Sequence, residues 1–145
     1  MSKKMDSIQH NIINKFSSLD DWFDKYEYVI TQGKNFKGMD EEVRSNENSI
    51  GGCQSDVWIK SERKNGVIHF SADSDSLLVK GMISLILEVV NDQPPTDIVD
   101  AEFYFIDEIG LNTHLSPSRL NGLNSIIKQI KTDAKNYADD IMKSY

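Results

Sequence analysis

Between Leu77 and Val90 the chain is apolar on nearly every side of a helical wheel, with Leu77, Leu78, Val79, Met82, Ile83, Leu85, Ile86, Leu87, Val89 and Val90. A helix with no polar face has to be surrounded by protein or by lipid. The stretch is well short of the roughly 20 apolar residues that cross a bilayer, and Glu88 interrupts it. The rest of the chain is therefore expected to wrap a central buried helix, starting at Ser74 or Asp75 and stopping at Asn91 before Pro94-Pro95, which cannot continue it. With 145 residues, a single domain over 1–145 suffices for that wrapping.

Immediately before this helix lies the clearest β signal, a run from Ser55 to Arg63, then Asn65-Gly66, then Val67 to Ala72. Asn-Gly suits a two-residue hairpin turn because both central residues adopt positive φ. A two-residue loop pairs Lys64 with Val67, Glu62 with His69 and Ile59 with Ala72. Val57, Ile59, Ile68, Phe70 and Ala72 then share the core face, while Trp58, Lys60, Glu62, His69 and Ser71 share the other.

Two helices lead the chain. The first is read from Ile8, Ile12, Ile13 and Phe16. The second is capped by Ser18, faces inward through Trp22, Tyr26, Val29 and Ile30, and closes at Gly33. Residues 34–49 read as a long exposed segment with one helical turn near Asp40–Val43, and long loops in compact domains are often functional. After a turn at Thr96–Val99, Glu102–Ile106 reads as a third strand on its aromatic content. Ser116 as N-cap, Pro117 at the first helical position and the stripe Leu123, Ile127, Ile130, Ala134, Tyr137 and Ile141 mark a closing helix. The fold class is α+β: a small antiparallel sheet of about three strands packed against N-terminal, central and C-terminal helices.

The 16 basic against 23 acidic residues give a net charge of -7. No segment is basic, which argues against a phosphate-tracking nucleic-acid surface. Neither a membrane span nor a secretory leader is legible, so the expected location is the cytoplasm. A single cysteine, Cys53, with His10, His69 and His114, is a poor donor set for a metal centre.

Cys53 stands directly after Gly51-Gly52 and before the first strand, off its apolar face, so a tight loop can hold the thiol at its tip. Two readings stand at this point: a small buried hydrophobe or a reactive thiol. A cysteine hydrolase would enlist His114 with Asn112 or Asp107. Arg119, three residues into the last helix, opposes the helix dipole and so has a reason other than helix stability. Asp73-Ser74-Asp75 is expected to cap the central helix rather than hold a metal.

The run Asn48-Ser49-Ile50-Gly51-Gly52-Cys53-Gln54-Ser55-Asp56-Val57-Trp58-Ile59 resembles the signature loop of the SufE family of sulfur-acceptor proteins. Asp73-Ser74-Asp75 leading to Val79-Lys80-Gly81, and Thr113-His114-Leu115-Ser116-Pro117-Ser118-Arg119 leading to Gly122-Leu123, match in order and spacing. Tyr26, Ile30 and Gly33 fit as well. The resemblance implies a SufE/IscU-like fold. It implies that Cys53 accepts sulfur from the persulfide of a SufS-type cysteine desulfurase, activates that enzyme and delivers sulfur to a SufBCD-type scaffold. Gly51, Gly52, Gln54, Ser55, Trp58, Arg119 and His114 would support the loop, and Asp75 would adjoin the partner. The chain itself would bind no cofactor, the pyridoxal phosphate belonging to the desulfurase, and would act as a monomer or homodimer. Two alternatives remain within this resemblance: a module that stimulates the desulfurase by contact alone, and a CsdE-type acceptor for a different desulfurase.

Overall fold

The structure, a computed structural model, describes residues 2–51 and 55–143. Helix α1 (Lys3–Ser17) is opened by the Ser2 hydroxyl, which accepts from the Met5 amide at 3.1 Å. It buries Met5, Gln9, Ile12 and Phe16, one residue per turn along a single stripe. Ser18, expected to open the next helix, instead closes α1, its hydroxyl donating to the Lys15 carbonyl at 2.6 Å. The cap of α2 (Trp22–Asn35) falls to Asp21, whose carboxylate accepts from the Asp24 amide at 2.9 Å and suits the positive end of the helix dipole.

Gly33 does not close α2 either, for a packing reason. Helix α3 (Leu77–Val90) crosses α2 so closely that a Cβ on Gly33 would sit 2.2 Å from the Leu77 carbonyl oxygen. A Cβ on Gly81 would sit 1.9 Å from that of Val29. These two glycines let backbone meet backbone, and α3 becomes the buried centre that its composition requires, with nine of its residues buried.

The hairpin forms in the expected register. Strands β1 (Val57–Lys64) and β2 (Val67–Ser74) pair Lys64 with Val67, Glu62 with His69 and Ile59 with Ala72. Asn65 and Gly66 take φ of 54° and 82°. Val57, Ile59, Ile68, Phe70 and Ala72 are all buried, as the alternation demands.

Among the described residues the sheet has two strands, not three. Glu102–Ile106 does not extend it, because the Gln9 amide takes up its backbone groups. Gln9 Nε2 donates to the Glu102 carbonyl at 2.9 Å, and its Oε1 accepts from the Phe105 amide at 3.1 Å. Phe105 starts the short helix α5 (Phe105–Glu108). The free edge of β2 is met by a side chain instead. Asn91, which ends α3, accepts from the Phe70 amide at 2.7 Å and donates to the Phe70 carbonyl at 3.2 Å, and Gln93 bridges Ile68 beside it. One carboxamide thus does the work of a strand residue at this position. Asn91→Ala is expected to cost about 1–2 kcal/mol in urea unfolding, the penalty for leaving such groups unpaired.

Helix α4 (Pro95–Val99) packs against the long closing helix α7 (Pro117–Lys143), with α6 (Leu111–His114) between α5 and α7 in sequence. Ser116 caps α7 as expected, accepting from the Arg119 amide at 3.3 Å. Its deepest residues are Leu123, Ile126, Ile130 and Ala134; Ile126 takes the place expected for Ile127, which is only partly covered.

On α3 the single acid, Glu88, has its pKa raised by burial, and Tyr28 of α2 is raised first by its own burial and then by the Glu88 charge. The fold therefore favours the neutral carboxyl. Its contribution is complete below the ordinary glutamate range and is lost as pH rises through the elevated folded value. Glu88 is nevertheless exposed, so solvent screens the effect, and Glu88→Gln should melt only slightly higher than the parent at pH 7 and show no advantage near pH 4. Melting curves at the two pH values check the sign.

Candidate functional site: the loop before the first strand

The strand pairing ends at Val57 and Ser74, and there the preceding chain doubles back. The Ile50 amide donates to the Val57 carbonyl at 2.9 Å, and Ser49 bridges Trp58. Ile50 and Val57 are thus held together at the end of the hairpin, with residues 51–56 between them in sequence. Gly52, Cys53 and Gln54, all expected at the site, lie outside the described residues, and the surrounding frame is what the structure supplies.

That frame is anchored on the far side by Asp56. Its amide donates to Asp75 Oδ1 at 3.1 Å, while its carbonyl accepts from the Ser74 hydroxyl at 2.7 Å and the Asp75 amide at 3.3 Å. This corrects the expectation that Asp73-Ser74-Asp75 caps the central helix. Ser76 caps α3, accepting from the Val79 amide at 3.3 Å, because Ser74 and Asp75 are engaged with Asp56. The third member, Asp73, is buried and holds other partners: the Ser74 amide at 2.8 Å, the Met39 amide at 3.0 Å and Lys80 Nζ at 3.4 Å.

Ser55 and Arg119 are brought together. They border a small cavity of about 20 Å³ with Met82, Gly122 and Leu123, room for about one water-sized group. Arg119 Nη1 is buried there and has no hydrogen-bond partner among the described residues. The guanidinium is thus held beside Ser55 on the first turn of α7; its helix position had marked it only as a residue with a reason other than helix stability.

The remaining expected residues divide. Trp58 carries the bridge to Ser49 and so supports the loop's first stem. Gly51 is exposed, its φ lies outside the left-handed region and a Cβ would meet open space, so the backbone there does not require glycine. The ring of His114 is occupied at α2: it stacks on Trp22 at 3.7 Å between centroids, and the Tyr26 hydroxyl donates to its carbonyl at 2.7 Å. Its ring Nδ1 lies 3.1 Å from the Gly110 carbonyl.

Arg44 was passed over by sequence reasoning, because a lone arginine in an aperiodic segment carries no local signal. Its guanidinium carbon lies 5.5 Å from the Trp58 ring centroid, and its Nε is 3.9 Å from Asp73 Oδ2. Two open grooves of about 450 and 480 Å³ run beside His69 on the hairpin's other half, and neither is lined by the stems of the loop. Among the described residues no group of three or more His, Cys, Asp or Glu side chains is placed to hold a metal, and no helix is long and apolar enough to cross a membrane.

This α+β domain carries its only cysteine in the sequence between two residues tied at the end of a hairpin, and the comparisons name the class to which it belongs. The family model SufE, an Fe-S metabolism associated domain, matches residues 10–134. The chain belongs to the SufE family, and membership places it in iron–sulfur metabolism. It is 41% identical over 128 residues to the cysteine desulfuration protein SufE of Wigglesworthia glossinidia brevipalpis, covering 86% of this chain and 88% of that one. It is 38% identical over 129 residues to an uncharacterized SufE-like protein of Rhizobium etli, covering 86% and 87%. The solution structure of a hypothetical protein from Thermus thermophilus superimposes with a TM-score of 0.72 at 15% identity, covering 89% of this chain and 94% of that one, a likeness of fold.

Proposed function

We propose that Cys53 is a sulfur acceptor that draws on a cysteine desulfurase and supplies iron–sulfur assembly. The observation that carries this reading is the sequence position of the chain's only cysteine, midway between Ile50 and Asp56, both tied at the end of the hairpin, in a member of this family. The name of the Wigglesworthia relative, a cysteine desulfuration protein, supports the same chemistry.

In the proposed step the Cys53 thiolate attacks the outer sulfur of the donor persulfide. A new sulfur–sulfur bond forms at Cys53, the donor's own sulfur–sulfur bond breaks, and the donor cysteine leaves as a thiolate with the bonding pair. There is no net oxidation. In this proposal the step draws on no cofactor of the chain itself, and pyridoxal phosphate belongs to the desulfurase. A SufS-type enzyme as donor, its activation on contact, and a SufBCD-type scaffold as recipient complete the proposal. Ser55 and Arg119 border the cavity beside the loop's second stem, and the exposed carboxylate of Asp75 adjoins the approaching partner.

Intact-mass measurement after incubation with desulfurase, L-cysteine and pyridoxal phosphate tests it. The protein should gain sulfur that a reductant removes and that prior alkylation prevents. An unchanged mass while the desulfurase turns over would refute the reading.

A further inference from the structure

We infer that Arg44 is a positioning residue for Cys53, holding together the strand pair from which the loop springs. The inference rests on the proposed role of Cys53, which makes the loop the working part of the molecule. Trp58 and Asp73 face each other across β1 and β2. Arg44 spans both, its guanidinium 5.5 Å from the ring centroid of one and 3.9 Å from the carboxylate of the other. Trp58 in turn bridges Ser49, and the next residue, Ile50, closes the loop onto Val57. Arg44 also sits on the turn that leads into this stem, its amide donating to the Asp40 carbonyl at 3.2 Å.

The two contacts are unequal. Asp73 keeps the Ser74 amide, the Met39 amide and Lys80 when Arg44 is removed, so its buried charge stays compensated. Trp58 loses the cation packed on its ring. The effect is therefore local to the loop's first stem rather than spread through the core. A planar guanidinium can pack on an indole and face a carboxylate at once, which the point charge of a lysine does less well.

The test compares Arg44→Ala and Arg44→Lys in the full chain, without any partner, by native-state amide exchange and by iodoacetamide labelling of Cys53. In Arg44→Ala the Ile50 amide should exchange about threefold to tenfold faster, with Cys53 labelled faster as well. The Phe70 amide, held by Asn91, should keep the parent's rate. Arg44→Lys should recover only part of the difference. An Ile50 amide or a Cys53 labelling rate equal to the parent's overturns the inference, and so does a Phe70 amide that accelerates by the same factor. These readouts do not depend on sulfur uptake. If Cys53 gains no sulfur from the desulfurase, the proposed function falls, while the Ile50 amide still decides on Arg44.

Discussion

Cys53→Ala folds as the parent does and takes up no sulfur from a desulfurase supplied with L-cysteine, since no other residue of the chain carries a thiol. The expected loss is complete rather than partial, because transfer requires a nucleophilic sulfur and alanine has none. Intact mass reads the uptake, and far-UV circular dichroism with a melting curve controls for folding. The same variant separates the proposal from the contact-only reading. Desulfurase turnover that is still fully stimulated by Cys53→Ala would mean that the surface, not the thiol, does the work. Sulfur found on the variant would end the assignment.

Gly81→Ala is expected to destabilise the fold by about 3 kcal/mol or more, the upper range for forcing atoms into a filled interior. The added Cβ would lie 1.9 Å from the Val29 carbonyl oxygen and 2.7 Å from its Cγ1, and the first of these is backbone that no rotamer change can move aside. Relief requires α2 and α3 to separate. The damage should then reach the site, because Val79 and Met82 of α3 line the cavity beside Ser55 and Arg119. Gly51→Ala is the matching control, with open space at its Cβ and an expected change within about 0.5 kcal/mol. Urea midpoints of the two variants decide; a Gly81→Ala protein as stable as the parent would contradict the close crossing.

What could be read from the residues follows from how local each signal is. Asn65-Gly66 sets its own turn geometry and with it the register of all of β1 and β2, so the core face of the hairpin was legible. So was α3, whose composition leaves it nowhere to go but inside. The third strand failed because its fate is decided by Gln9, distant in sequence, which satisfies Glu102 and Phe105 through its side chain. The same holds for the caps. Ser18 and Ser74 are sound capping residues by type, yet Ser18 closes the helix behind it and Ser74 is engaged by Asp56. Near the loop, Arg119 stood out because its helix position is unfavourable, though its place beside the loop was implied only by the family resemblance; His114 carried no comparable signal, and the structure seats its ring on Trp22. Arg44 had no trace at all until Trp58 and Asp73 were seen side by side.

The tie between Ile50 and Val57, with Asp56 fastened to Asp75, sets the length of a leash. Cys53 is three residues from Ile50 and three from Asp56, so even a taut chain carries its α-carbon no more than about 11 Å from either fastening. A donor whose reactive sulfur lay deeper than that behind a flat wall would be out of range. Under the proposed function, the donor would need a mouth wide enough to admit the end of the hairpin itself, or a sulfur-bearing arm that comes out to meet it.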